Sequence, residues 1–181
     1  MELVHAAIDY SMQSPCLCVH RGNTFSFLNC KFFYLTDTRK RLVDHPQFYG
    51  EIGPKSNGNN VERFEFLAQY ILQHIPEGAS VALEGYAYGA KGTVFEIGEN
   101  AGLLKYLLWK RNIVPCIVPP TTIKKWGYGK GNAKKEQMIE AFQQKTNFDI
   151  EELFKTKGTK ILNPISDIVD AYFLCDYVFY N

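Results

Sequence analysis

Four carboxylates stand where the sequence otherwise calls for apolar residues. Asp9 closes the run Ala6-Ala7-Ile8, Glu84 closes Val81-Ala82-Leu83, and Asp167 and Asp170 interrupt the apolar segment 165–180. A spacing of three on a helix puts the last two on one face. An ionised carboxylate inside a protein costs several kcal/mol unless a partner compensates it. The segments around these acids hold almost no Lys or Arg, so the alternative partner is a divalent cation. Mg²⁺ and Mn²⁺ prefer oxygen ligands, and carboxylates drawn from two strands and a helix suit a two-metal centre for phosphodiester hydrolysis. Singly, each acid has a plainer reading. Asp9 before Tyr10-Ser11 could cap a turn, and Asp167 could answer a helix dipole. Four of them, in this order and on these elements, favour the metal.

The basic residues are distributed just as unevenly. Net charge is only +1, yet Leu103 to Lys135 contains Lys105, Lys110, Arg111, Lys124, Lys125, Lys130, Lys134 and Lys135 and no acid at all. Such a run is either a solvated face or a surface for a polyanion.

The elements that must position these groups follow from hydrophobic period. Residues 4–19 read as a strand, a turn at Gln13-Ser14-Pro15 and a second strand; His20-Arg21-Gly22-Asn23 is a turn, and 24–35 reads as a third strand. Residues 36–60, with GPKSNGNN, read as a long exposed loop. From Val61, apolar residues recur at steps of three and four up to Ile75, which predicts an amphipathic helix ending at Pro76-Glu77-Gly78. Strand 80–86, helix 93–112, strand 113–120, a Gly- and Lys-rich loop, a helix from about Ala133 to Lys145 and a final helix over 165–180 complete the chain. This order predicts one α/β domain over 1–181: a mixed sheet with antiparallel opening strands and helices on both faces.

The ordered motifs resemble the RuvC family of Holliday-junction resolvases, which has an RNase H-like fold. The resemblance rests on Ala7-Ile8-Asp9-Tyr10-Ser11, Leu83-Glu84-Gly85-Tyr86, and the glycine-marked Thr93 to Gly102. It continues with Pro119 to Lys124 at a strand end, Gly129 to Gln137, and Asp167-Ile168-Val169-Asp170-Ala171. It implies a magnesium-dependent, dimeric endonuclease that nicks opposing strands of a four-way junction and leaves 5′-phosphate and 3′-hydroxyl ends. By motif, Asp9, Glu84, Asp167 and Asp170 would hold two Mg²⁺ ions, with Mn²⁺ as a substitute. Lys124 and Lys135 would act at the scissile phosphate, and Lys125, Lys130 and Lys134 would contact DNA. The chain departs from bacterial relatives in the loop Gly85-Tyr86-Ala87-Tyr88-Gly89, where Tyr86 or Tyr88 would stack at the branch point or pack within the loop, and in the length of 36–60. Both departures suit a divergent, viral or phage member.

Composition narrows the field. A hydrophobic fraction of 46% with 22% charged residues is that of a soluble globular protein, and no apolar stretch reaches a membrane span. The start MELVHAAIDYS lacks the features of a secretory signal, which points to the cytoplasm. Cys16, Cys18, Cys30, Cys116 and Cys175 are odd in number and read as buried free thiols. No small-molecule cofactor is expected. Three other functions compete: a nuclease of broader branched-DNA specificity, an actin-like ATPase half, and a non-catalytic junction-binding module. The ATPase needs a glycine-rich phosphate loop after the first Asp, and Tyr10–Pro15 has no glycine.

Overall fold

The structure is a computed structural model that describes residues 2–55, 60–86, 94–156 and 163–181. Its strands are β1 (Val4–Asp9), β2 (Cys16–Arg21), β3 (Cys30–Thr36), β4 (Phe48–Ile52), β5 (Ser80–Glu84) and β6 (Cys116–Val118). Its helices are α1 (Asn60–His74), α2 (Val94–Lys110), α3 (Pro120–Tyr128), α4 (Lys135–Thr146), α5 (Ile150–Leu153) and α6 (Ile165–Tyr180). The strands form one sheet in the order β4-β3-β2-β1-β5-β6. Only β2 is reversed, since it pairs antiparallel with both β1 and β3 while every other neighbouring pair is parallel. The carboxyl ends of the other five therefore open on one edge, where α/β sheets characteristically build their sites.

Each face of the sheet carries its own core. Ala6, Ile8, Leu17, Val19, Val81 and Leu83 pack beneath α1 and α2, with Leu67, Ile71, Leu104 and Leu108 from the helices. Ala7, Cys18, Phe32, Ala82 and Val118 face the other way, into a core with α3, α4 and α6. This is the expected mixed sheet with antiparallel opening strands and helices on both faces, and α6 runs over 165–180 as its period predicts.

The sequence reading needs correction in four places. The span 24–35 is a strand only from Cys30; before it come a turn and a short 3-10 helix, Phe27–Asn29. Residues 36–60 are not one long loop, because Phe48–Ile52 forms β4 beside β3. Gly50 leaves room in β4 for the ring of Tyr34 on β3, since a Cβ there would sit 2.3 Å from it. Strand 113–120 shrinks to Cys116–Val118, and the supposed Gly- and Lys-rich loop begins with a helix, α3. Pro120 occupies the first turn, where its missing N–H costs nothing, and Gly129, at φ 87°, ends the helix in the left-handed conformation. Inside α3, Gly127 leaves room for a neighbour, since a Cβ there would lie 3.0 Å from the Phe173 ring of α6. Lastly, four of the cysteines are buried, but Cys116 is exposed on the edge strand β6.

Candidate metal centre

Side chains alternate along a strand. Ala7 and Ala82 point to the α6 side, so the same alternation turns Asp9 and Glu84, two residues further on, toward that side as well. β1 and β5 are parallel neighbours whose last paired residues are Ile8 and Leu83, which stands Asp9 and Glu84 next to each other at the open edge. Helix α6 lies over β1 and β2. The small residues Ala7, Ala82 and Ala171 share the core beneath it, and Asp167 and Asp170 occupy its first turns. One carboxylate oxygen from each of Asp9, Glu84 and Asp170 lies within 4.8 Å of the others. Asp167 stands beside this triad rather than in it, and its Oδ2 accepts a hydrogen bond from the Ser14 hydroxyl.

The four carboxylates share a buried place, and their protonation shows it. Burial, followed by repulsion from Glu84, Asp167 and Asp170, holds the Asp9 carboxyl well above the usual carboxylate range. Burial raises Glu84 too, against the pull of Lys124 and Lys135. Burial pushes Asp167 up to about 6. Burial, with repulsion from Glu84 and Asp167, pushes Asp170 up to about 8. Four acids driven toward their neutral forms by burial, three of them by neighbouring carboxylates as well, are what a divalent cation would relieve, and an all-oxygen donor set suits Mg²⁺ or Mn²⁺.

The lysines surround this centre unequally. Lys135 opens α4, as expected, and its ammonium donates to Ser166 Oγ at 3.1 Å. Lys124 does not end a strand: it lies in α3, one helical turn inside. Both are close enough to the acids to lower Glu84 and Asp170. Lys125, Lys130 and Lys134 are exposed around the same edge. Tyr86 is exposed beyond β5, with Lys105 over its ring at 4.5 Å and bonded to its hydroxyl at 3.0 Å. Tyr88 lies outside the described residues.

Sequence reasoning missed the polar chain that ties these groups together. Lys135 donates to Ser166, Ser166 Oγ to Asn163 Oδ1 at 3.0 Å, Asn163 Nδ2 to Ser14 Oγ at 3.0 Å, and Ser14 to Asp167. Ser14 and Asn163-Pro164 were visible only as turn and helix-start residues. The bond of Ser14 to an acid 153 positions away is a tertiary fact.

No known protein family and no curated protein matches the sequence. Solved structures do. The RuvC of Thermus thermophilus superposes with a TM-score of 0.59 at 18% identity, over 98% of this chain and 95% of that one. The fold is that of the RuvC resolvases. A second RuvC structure from T. thermophilus, in complex with a Holliday-junction substrate, gives 0.58 at 16% identity, covering 98% of this chain and 94% of the other. The Fowlpox virus resolvase, solved with its substrate Holliday-junction DNA, gives 0.52 at 17% identity over 98% and 97%. The RuvC likeness therefore spans nearly the whole chain, β4 and α5 included, and leaves chemistry to be argued from the site.

Proposed function

We propose that this protein is a Holliday-junction resolvase, a metal-dependent endonuclease that cuts opposing strands of a four-way junction and leaves 5′-phosphate and 3′-hydroxyl ends. The observation that carries this reading is the oxygen triad of Asp9, Glu84 and Asp170 at the open edge of a RuvC fold. Asp9, Glu84 and Asp170 would hold one Mg²⁺, with Mn²⁺ as a substitute, and Asp167 would help to hold a second. Bound ions supply the charge that activates water and steadies the leaving 3′-oxygen. Lys124 and Lys135 offset charge that builds on the scissile phosphate. Exposed Lys125, Lys130 and Lys134 hold the DNA backbone, and Tyr86 or Tyr88 stacks at the branch point. Two of the structural neighbours were solved with junction DNA, which supports a branched substrate.

Incubating a synthetic four-way junction with Mg²⁺, Mn²⁺, Ca²⁺ or EDTA, beside a fork and a linear duplex, tests this directly. The expected products are paired, ligatable nicks in the junction with Mg²⁺ or Mn²⁺ and none with EDTA. Equal cutting of fork and junction would replace the reading with a broader branched-DNA nuclease. No cutting with any metal would overturn it.

Paired nicks require two sites related by a two-fold axis, and one chain supplies one. The outward side of α2 suits the contact. Phe95 is 82% exposed, Trp109 66% and Tyr106 53%, whereas Leu104 and Leu108 are spent on the chain's own core. A Cβ on Gly98 or Gly102 would meet nothing within 4 Å, so these glycines do not serve packing against the sheet. A homodimer through α2 would give them their close neighbour. Sedimentation at micromolar concentration is expected to give twice the chain mass, and Gly102→Arg to give a monomer that binds metal but nicks the two strands independently. A monomer that cuts both strands in concert would rule the dimer out.

A further inference from the structure

A second basic feature lies on this edge, away from the Lys105–Lys135 run. Where β3 and β4 end, the first turn of the chain, the short helix Arg39–Arg41 and α1 enclose a cavity of about 620 Å³. Arg41, Lys55 and Arg63 face it, against the single carboxylate, Asp37, among the described residues of its lining. The Arg41 side chain is largely covered, and its one acidic partner, Asp37, is 3.4 Å away and well exposed, a pairing that neutralises little. Arg63 reaches from α1 to donate to the carbonyl of Met12, and its buried Nε has no hydrogen-bond partner among the described residues. Three cations converge on a concavity with too little negative charge to match them.

The cavity shares a wall with the carboxylates. Ser14 and Asn163 line it, and these two residues hand hydrogen bonds on to Asp167. In strand order, β3 and β4 lie on one side of β1, while β5, β6 and the lysine-bearing α3 that follows lie on the other. An anion in the cavity would thus sit at the same edge as the metal centre but across it from Lys124.

The geometry points to a second phosphate-binding site, in which Arg41, Lys55 and Arg63 grip the backbone of the DNA strand beyond the scissile phosphate. A strand laid along the edge is then held on both sides of the carboxylates, which fixes the register in which its phosphate meets the metal. A DNA phosphate is favoured over a free anion because the cavity shares its wall of Ser14 and Asn163 with the site along which the strand would lie. This inference rests on the resolvase reading.

The test compares wild-type protein with the pair Arg41→Gln and Lys55→Gln, in Ca²⁺, by fluorescence anisotropy on a four-way junction. Arg63 is left in place because it also holds the turn at Met12. Each lost phosphate contact removes about 0.9 from the slope of log affinity against log salt. The double variant is expected to bind more weakly, with the gap narrowing about tenfold between roughly 50 and 200 mM salt. Neutral methylphosphonate links placed singly along the strand should weaken wild-type binding at a linkage to which the variant is indifferent. The control removes the same charge from the same short helix, outside the cavity, as Arg39→Gln with Lys40→Gln. An equal loss in the control, an unchanged slope, or a shared methylphosphonate profile would overturn the second site. If wild type cuts the junction while the variant behaves like wild type, only this inference falls. If wild type neither binds nor cuts a junction, the resolvase reading falls with it.

Discussion

Asp9→Asn, Glu84→Gln and Asp170→Asn proteins are each expected to nick a four-way junction about a thousandfold more slowly than wild type, or worse. Each change swaps one candidate ligand oxygen of the triad for an amide and removes one negative charge from a centre that would hold a divalent ion. A loss of at least about 4 kcal/mol of transition-state stabilisation gives that factor. Junction affinity in Ca²⁺ should stay within a few-fold, because the exposed lysines that would hold the backbone are untouched. Asp167→Asn should cost less, since that carboxylate lies outside the triad and is held by Ser14. Single-turnover rates with Mg²⁺ decide the matter. More than a tenth of wild-type rate in all three triad variants would remove these residues from the chemistry.

The same substitution at Asp170 should make the metal-free protein more stable. Its carboxyl is pushed up to about 8 from an ordinary 3.8, by burial first and by Glu84 and Asp167 next. Below about pH 4 the folded and unfolded chains both hold the proton, and nothing is lost. As pH rises, the unfolded chain releases it while the folded chain keeps it, so stability drains away until the folded group also ionises near pH 8. Asp167, pushed up to about 6, adds to the loss with the same sign over a lower window. One pKa unit is about 1.4 kcal/mol, and even a part of this shift is worth a few degrees of melting temperature in a chain of this size. In EDTA, Asp170→Asn is therefore expected to melt about 5 °C or more above wild type at pH 8, with the gap closing toward pH 4. Mg²⁺ should raise the wild-type melting temperature and leave the variant nearly unmoved. A variant that melts lower than wild type at pH 8 would show that the acids are already compensated within the protein.

How much of this was legible in the sequence depended on whether a residue's role was set locally. Asp9 and Glu84 could be found because strand alternation and an apolar run fix what should follow them, and a charge breaks that expectation. Helix α6 was legible from end to end, since a long apolar run follows the helix-start signal Asn163-Pro164-Ile165-Ser166. Lys124 was assigned to the wrong element because prolines 119 and 120 read as the end of a strand, when they also mark the start of a helix. Strand β4 was hidden because the polar segment around it and the loop signal GPKSNGNN that follows were read as one stretch. Ser14, Asn163 and Ser166 carried no signal beyond turn and cap preference, because what gives them their role is a chain of contacts between residues far apart in sequence. The cavity of Arg41, Lys55 and Arg63 was invisible for the same reason.

Helix α6 fills the core on one side of the sheet and brings two of the four acids with it. That ties the appearance of the site to the order in which the chain is made. Asp9 and Glu84 leave the ribosome early, on strands that can pair at once, but the third corner of the triad is absent until α6 emerges and docks. A nascent or prematurely terminated chain ending before Ile165 has basic surface but no complete ligand set. On the proposed function, such a chain would touch DNA without cutting it, and the capacity to cut would arrive in the same step that closes the core.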